Sequence, residues 1–227
     1  LTTAVFSTKA PRYEDFFGQE SINLSKAKKG EKLFIQNCQK CHGSYQKNWS
    51  NPSITKQSEQ IKNMKVSYHK KTPVIDVGTD PDRYLAGKYL ATELNRLKVL
   101  KTFDVEVKAQ KGYIPPPLVG VWSRWPYFHN NSSPSLCAVL TQSKKRPTSY
   151  YSGPSIDKEK DFDQKCNGYP LNEKTPAHWK TKEHFYDTSK KGMRNTGHDK
   201  RILLNKDGSE KFSSKQKYQL VEFLKTL

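Results

Sequence analysis

Cys38-Gln39-Lys40-Cys41-His42 is the stretch on which the reading of this chain turns. Cys-x-x-Cys-His is the attachment signal for c-type haem. Two thiols at that spacing reach the two vinyl groups of one porphyrin, and the adjoining imidazole is placed to ligate the iron. Three plainer readings compete. A zinc ribbon needs a second pair of ligands at ribbon spacing, and none follows. A redox dithiol of the thioredoxin type opens a helix after a strand, whereas this motif ends a helix-like segment. Coincidence is the third, and the flanking residues weigh against it. The sequence therefore predicts one covalent haem c on Cys38 and Cys41, with His42 as an axial iron ligand.

The composition suits a chain that borrows its core from a cofactor. Only 33% of the 227 residues are hydrophobic, and 13 Pro and 12 Gly interrupt regular structure. A macrocycle would supply apolar surface that the side chains do not, so one haem domain with long irregular excursions is expected. The net charge is +18. Nucleic acid is the usual partner for such a charge, but c-type haem is attached outside the cytoplasm, which argues against it. An acidic redox-partner protein or a larger envelope complex is expected instead, with charge steering the encounter. A solvated basic surface without a specific partner is the plainer alternative. No apolar run reaches the roughly 18 residues of a transmembrane span. With no signal peptide visible, the start at Leu1 reads as a processed mature form, periplasmic or otherwise extracytoplasmic.

Residues 1–24 mix proline, aromatics and charge and are expected to form an extended arm. Ser25 reads as the N-cap of a helix from Lys26 to about Asn37. Gly30 and Phe34 lie one turn apart on it, before the haem motif, as in the N-terminal helix of class I cytochromes c, which this segment resembles. At the other end, Ser213 and Gln216 form a capping box, and Leu220, Phe223, Leu224 and Leu227 follow at helical spacing. The two helices are expected to cross near Gly30. Residues 25–227 are thus expected to be a single, mainly α, class I cytochrome c-like haem domain with long irregular loops. Between its ends, Asp80-Pro81 opens a further helix with Tyr84, Leu85, Tyr89, Leu90, Leu94 and Leu97 on one face. The prolines of Gly112-Tyr113-Ile114-Pro115-Pro116-Pro117-Leu118 exclude regular structure there. Residues 154–185 read as a Lys-rich insertion.

A closer resemblance rests on Val77 to Pro81, Pro117 to Asn130 (Pro-Leu-Val-Gly-Val-Trp-Ser-Arg-Trp-Pro-Tyr-Phe-His-Asn) and Ser133 to Leu136. Arg146-Pro147-Thr148, Tyr151-Ser152-Gly153, Tyr186-Asp187-Thr188 and Asn195-Thr196-Gly197-His198 extend it. Together these resemble the dihaem cytochrome c peroxidase relatives, in particular the branch with the rubber oxygenases. The likeness covers most of residues 25–227 and corresponds to the C-terminal haem half of those longer proteins. One haem motif stands where the family usually carries two, and that departure bears on catalysis, which depends there on cooperation between haems.

The second axial position separates the functions. His69, His129, His178, His184, His198, Met64 and Met193 are the candidates. The resemblance implies His198, in its Gly-His context; Met193 is the alternative, since class I cytochromes draw a methionine from about that region. The resemblance also puts His129 in the haem pocket without making it the axial ligand. Trp122, Trp125 and Tyr127 are expected as haem-contact walls, and Arg124 as a propionate partner. Cys137 and Cys166 remain outside the haem motif, and a disulfide between them is favoured over two buried thiols. With a ligand available and the partner haem absent, an electron carrier is favoured over a catalyst. A peroxidase- or oxygenase-type enzyme with an open distal site, and a structural or accessory haem subunit, are the alternatives.

Overall fold

Two helices from opposite ends of the chain, Leu24–Asn37 and Ser214–Leu224, meet at Gly30. A Cβ there would stand 1.9 Å from the Gln219 carbonyl oxygen and 2.9 Å from Phe223 Cβ, so only hydrogen lets the backbones approach this closely. Phe34 fills the next turn, its ring 5.1 Å from Phe223 and 5.8 Å from Tyr45. Leu220, Val221, Phe223 and Leu224 are buried in the same core. The capping box is present: Ser213 Oγ accepts the Gln216 N–H, and Gln216 Oε1 accepts the Ser213 N–H at 2.9 Å. The first helix is capped by Asn23 rather than Ser25, with Asn23 Oδ1 accepting the Lys26 N–H at 2.9 Å.

The computed structural model describes residues 9–69 and 73–227; the start of the arm expected over 1–24 lies outside the described residues. In chain order the elements are α1 (Tyr13–Phe17), α2 (Leu24–Asn37), α3 (Gln39–His42), β1 (Ser44–Lys47), α4 (Gln57–Gln60), β2 (Asn63–Ser67), α5 (Asp82–Leu94), α6 (Lys98–Thr102), α7 (Leu136–Val139), β3 (Ser149–Tyr151), β4 (Phe185–Asp187) and α8 (Ser214–Leu224). Strands β1 and β2 pair antiparallel with Tyr45 opposite Val66, and β3 and β4 with Tyr150 opposite Tyr186.

The expectation of a mainly α fold is not met: most described residues lie in neither helix nor strand, and the fold is largely irregular. Side chains hold these stretches where a backbone ladder would otherwise do so. Asp163 Oδ1 accepts the Lys165 and Cys166 N–H groups, and Asp161 Oδ2 those of Ile156 and Asp157. A second buried cluster, Tyr150, Tyr169 and Trp179, anchors residues 149–186. Cys137 and Cys166 are bridged, with their Cα atoms 5.0 Å apart. Helix α5 begins after Pro81, and Asp80 Oδ1 accepts the Asp82 N–H at 2.8 Å. Its expected apolar face is not buried; Ala91 is covered, but Leu85, Tyr89 and Leu90 are exposed, because the core lies on the α2–α8 side. No helix among the described residues is long and apolar enough to cross a membrane.

Candidate haem site

The motif sits where α2 ends. Cys38 leaves helical geometry (φ −121°, ψ −33°), and the chain resumes as α3, which carries Cys41 and His42. Both thiols are free of disulfide partners. Burial pushes the Cys38 thiol up to about 12. An attacking dithiol carries the opposite shift. Gly43 follows at φ +78°, and a Cβ on it would stand 2.5 Å from the Ser67 carbonyl oxygen; the hairpin formed by β1 and β2 is thereby held tight against the motif.

His42 is oriented by its backbone surroundings. Its Nδ1 lies 3.0 Å from the Pro116 carbonyl oxygen. Donation of that N–H fixes the tautomer and leaves Nε2 unprotonated, the arrangement a metal-ligating imidazole adopts. The proline-rich run 115–117 supplies a rigid acceptor. Burial holds the His42 pKa below the ordinary histidine value.

His198 arrives from the far end of the irregular region, at φ +65°, with its N–H on the Val77 carbonyl oxygen at 2.8 Å. Its imidazole stacks on Phe128, ring centroids 5.7 Å apart and planes 11° from parallel. Nδ1 is shut off from solvent with no hydrogen-bond partner among the described residues. Burial first, then the neighbouring His42 and the Arg146 guanidinium, lower its pKa to about 4. Both imidazoles are therefore neutral at pH 7 and near enough to interact electrostatically.

Arg146, 3% exposed, holds the loop that delivers His198. It donates to the Gly197 carbonyl at 2.8 Å and to that of Asn195. Burial lowers its pKa only to about 10, so it stays a cation at neutral pH.

The remaining predicted residues line several surfaces. Trp122 packs edge-on against Tyr13 at 5.2 Å and donates its indole N–H to the Pro11 carbonyl, on the side of α1. Trp125 packs against Tyr169 and Phe162. Tyr127 donates to the Val121 carbonyl and accepts from Asn167. Arg124 donates to the carbonyls of Pro117, Val119 and Gly120. His129 stacks on Tyr113 at 5.4 Å, with burial and Arg83 lowering its pKa. Met193 is half-buried, in a loop pinned to the start of α5 where Asp82 accepts the Gly192 N–H and Asp80 the Arg194 N–H. Phe128 and Arg146 carried no individual role in the sequence reading. No periodicity marks either one, and a buried arginine bonded to carbonyls has no local signature.

These residues fit a haem. Cys38 and Cys41 carry free thiols beside His42, and His198 lies near enough to His42 for the two imidazoles to interact. Tyr68, whose ring lies against Gly43, and the adjoining His69 have a buried Oη and Nε2 with no partner among the described residues. Such atoms are rare unless something else satisfies them. Among the described residues no group of three or more His, Cys, Asp or Glu is arranged for a bare metal ion.

Comparison with known proteins agrees with this chemistry. Residues 112–151 match the family model described as RoxA-like, cytochrome c-like. That segment carries Pro116, Phe128, His129 and Arg146. Uncharacterized protein y4iM of Sinorhizobium fredii (strain NBRC 101917 / NGR234) is 25% identical over 223 residues, 90% of this chain and 49% of that protein. Uncharacterized protein y4iJ of the same strain is 30% identical over 93 residues, 41% of this chain and 14% of that protein. The chain thus spans about half the length of the first relative and a smaller part of the second. The resemblance to RoxA-like cytochrome c domains is established over the matched segment, and it supports a c-type cytochrome whose cofactor is haem c.

Proposed function

We propose that this chain is an extracytoplasmic, monohaem c-type cytochrome that transfers electrons as a subunit or partner of a larger redox complex. Cys38 and Cys41 carry the haem covalently, and His42 and His198 are its axial ligands. One observation supports the reading: His42, oriented by the Pro116 carbonyl, lies near enough to influence His198, whose ring stacks on Phe128. Haem bound there supplies a one-electron ferric/ferrous couple. The protein keeps both histidines unprotonated at neutral pH and leaves the basic surface, with Lys29, Lys32 and Lys40 exposed around the motif, for an acidic partner. Met193 is the weaker ligand candidate, because the loop around it is tied to α5.

The test is spectroscopic. Denatured protein should retain one haem per chain with a c-type pyridine haemochrome; haem extracted by acid acetone would sink the proposal. The intact protein should be low-spin in both oxidation states. Its potential should lie below that of a His/Met cytochrome of similar burial, since imidazole lacks the thioether's preference for ferrous iron. His198→Ala should yield high-spin iron that binds carbon monoxide, while Met193→Ala should leave the spectrum intact. A methionine-to-iron charge-transfer band in the wild type would transfer the assignment to Met193, and high-spin wild-type iron would turn the reading toward an enzyme.

A further inference from the structure

We propose that Arg146, acting through Phe128 and the backbone of residues 195–197, is the positioning residue that seats His198 as an axial ligand. The inference rests on the ligand assignment above and asks what fixes that ligand in place. His42 has a hydrogen bond to the Pro116 carbonyl. Among the described residues His198 has none: its Nδ1 is buried and unpartnered, so nothing of that kind sets its ring. What touches the ring is Phe128, lying nearly parallel to it. What touches Phe128 from the guanidinium side is Arg146, 4.9 Å from the ring centroid. Imidazole, phenyl and guanidinium thus form a connected series of contacts.

The same guanidinium also holds the backbone. Its Nε donates to the carbonyls of Ala138 and Thr141 at 2.9 and 2.8 Å, and Nη2 to Val139 at 3.3 Å. Those three bonds would suffice to finish the C-terminus of α7. The bonds to Asn195 and Gly197 do something more: they fasten the two carbonyls that flank Thr196 just before His198. Beyond the histidine, Asp199 accepts from the Ser143 N–H at 2.8 Å and from Ser143 Oγ. The loop is therefore gripped on both sides by residues 138–146. Phe128 and His198 both hold positive φ, at 69° and 65°, a conformation that such side chains adopt only where the surroundings impose it. A planar fork with five donors suits this task and an ammonium does not, because lysine cannot span α7 and the 195–197 carbonyls at once.

The experiment uses the haem-loaded protein and four variants: Arg146→Lys, Phe128→Leu, Phe128→Tyr and His198→Ala. Ferric spin state and cyanide affinity are read beside the denaturant midpoint. Cyanide must displace His198, so a loosened histidine should raise the apparent cyanide affinity roughly tenfold or more. Arg146→Lys and Phe128→Leu should both show that gain together with partial high-spin character, and Phe128→Tyr, which keeps the stacking face, should restore the wild-type values. If Arg146→Lys does not fold, Phe128→Leu and Phe128→Tyr carry the test. A variant pair that is less stable yet unchanged in spin state and cyanide affinity would make Arg146 purely structural and overturn the proposal. An unchanged spectrum in His198→Ala would be a different failure, removing the ligand assignment and this inference with it.

Discussion

Single side chains in this molecule do work that a hydrogen-bonded ladder does elsewhere, and Lys47 shows what that costs. Its ammonium is buried, donating to the carbonyls of Ile61 (at 2.7 Å) and Thr226 and to Asn63 Oδ1. It ties β1 to the end of α8, but with carbonyls and an amide as direct partners burial lowers its pKa to about 7, against 10.5 when exposed. The sign follows from proton counting. Between those two values the unfolded chain holds the proton and the folded chain has released it, so stability rises with pH across that interval. Below about 7 both states are protonated and the full penalty for a buried charge is present. We expect the unfolding free energy to climb from pH 7 to about 9, by up to about 1.4 kcal/mol per pH unit, and Lys47→Met to remove most of the slope. Tyr13, Tyr127 and Tyr150, whose pKa burial raises, oppose the trend only as pH nears about 10, where the unfolded chain begins to lose their protons, so the slope is read below about pH 9. Denaturant midpoints at several pH values, wild type against variant, decide it; equal slopes would mean that Lys47 stays charged throughout.

At the level of elements, the α2–α8 crossing makes the sharpest claim. Gly30→Ala gains helix propensity but drives a methyl into the Gln219 backbone, which cannot rotate away. Gly87, inside α5, has open space where a Cβ would stand, with no atom within 4 Å, and offers the control. Gly30→Ala should destabilise by about 2–3 kcal/mol, whereas Gly87→Ala should stabilise by up to about 1 kcal/mol. Urea midpoints at unchanged m-value would show this, and equal effects of the two would refute close contact at the crossing. This helix pair was legible in the sequence because its signals are local: a glycine one turn from an aromatic, a capping box, an apolar stripe. The Cys38–His42 motif is a local signal of the same kind. The irregular middle was not legible. Arg124 bonds to carbonyls at 117–120, Asp161 and Asp163 to peptide N–H groups at 156–166, and Arg146 to the distant carbonyls of 195 and 197, and such bonds leave no period in the chain. The apolar face of α5 was legible as a pattern, yet the pattern alone did not say that the core would fail to reach it. Trp122, Trp125 and Tyr127, read as a porphyrin wall, have further contacts with Tyr13, Phe162 and Asn167 that no local pattern announces.

For the whole molecule the governing quantity is the charge of +18. A field of that size acts on approach before any contact is made, and salt weakens it: the Debye length falls from about 30 Å at 0.01 M to about 8 Å at 0.15 M. If electron transfer is the function, the haem site need not touch its partner through lysines for them to set the encounter rate. Two small redox reagents of opposite charge isolate the effect from any particular docking surface. Oxidation of the ferrous protein by anionic ferricyanide should slow as salt is added, by roughly tenfold over that range. Oxidation by a tripositive cobalt phenanthroline complex should speed up instead, because the like-charge repulsion is relieved. Parallel responses to the two reagents would mean that the protein's charge does not steer their approach. Curves that cross with opposite slopes would make the basic surface the steering element, and would predict that charge reversal at the exposed Lys29, Lys32 and Lys40 together weakens both slopes while leaving the low-spin spectrum as it was.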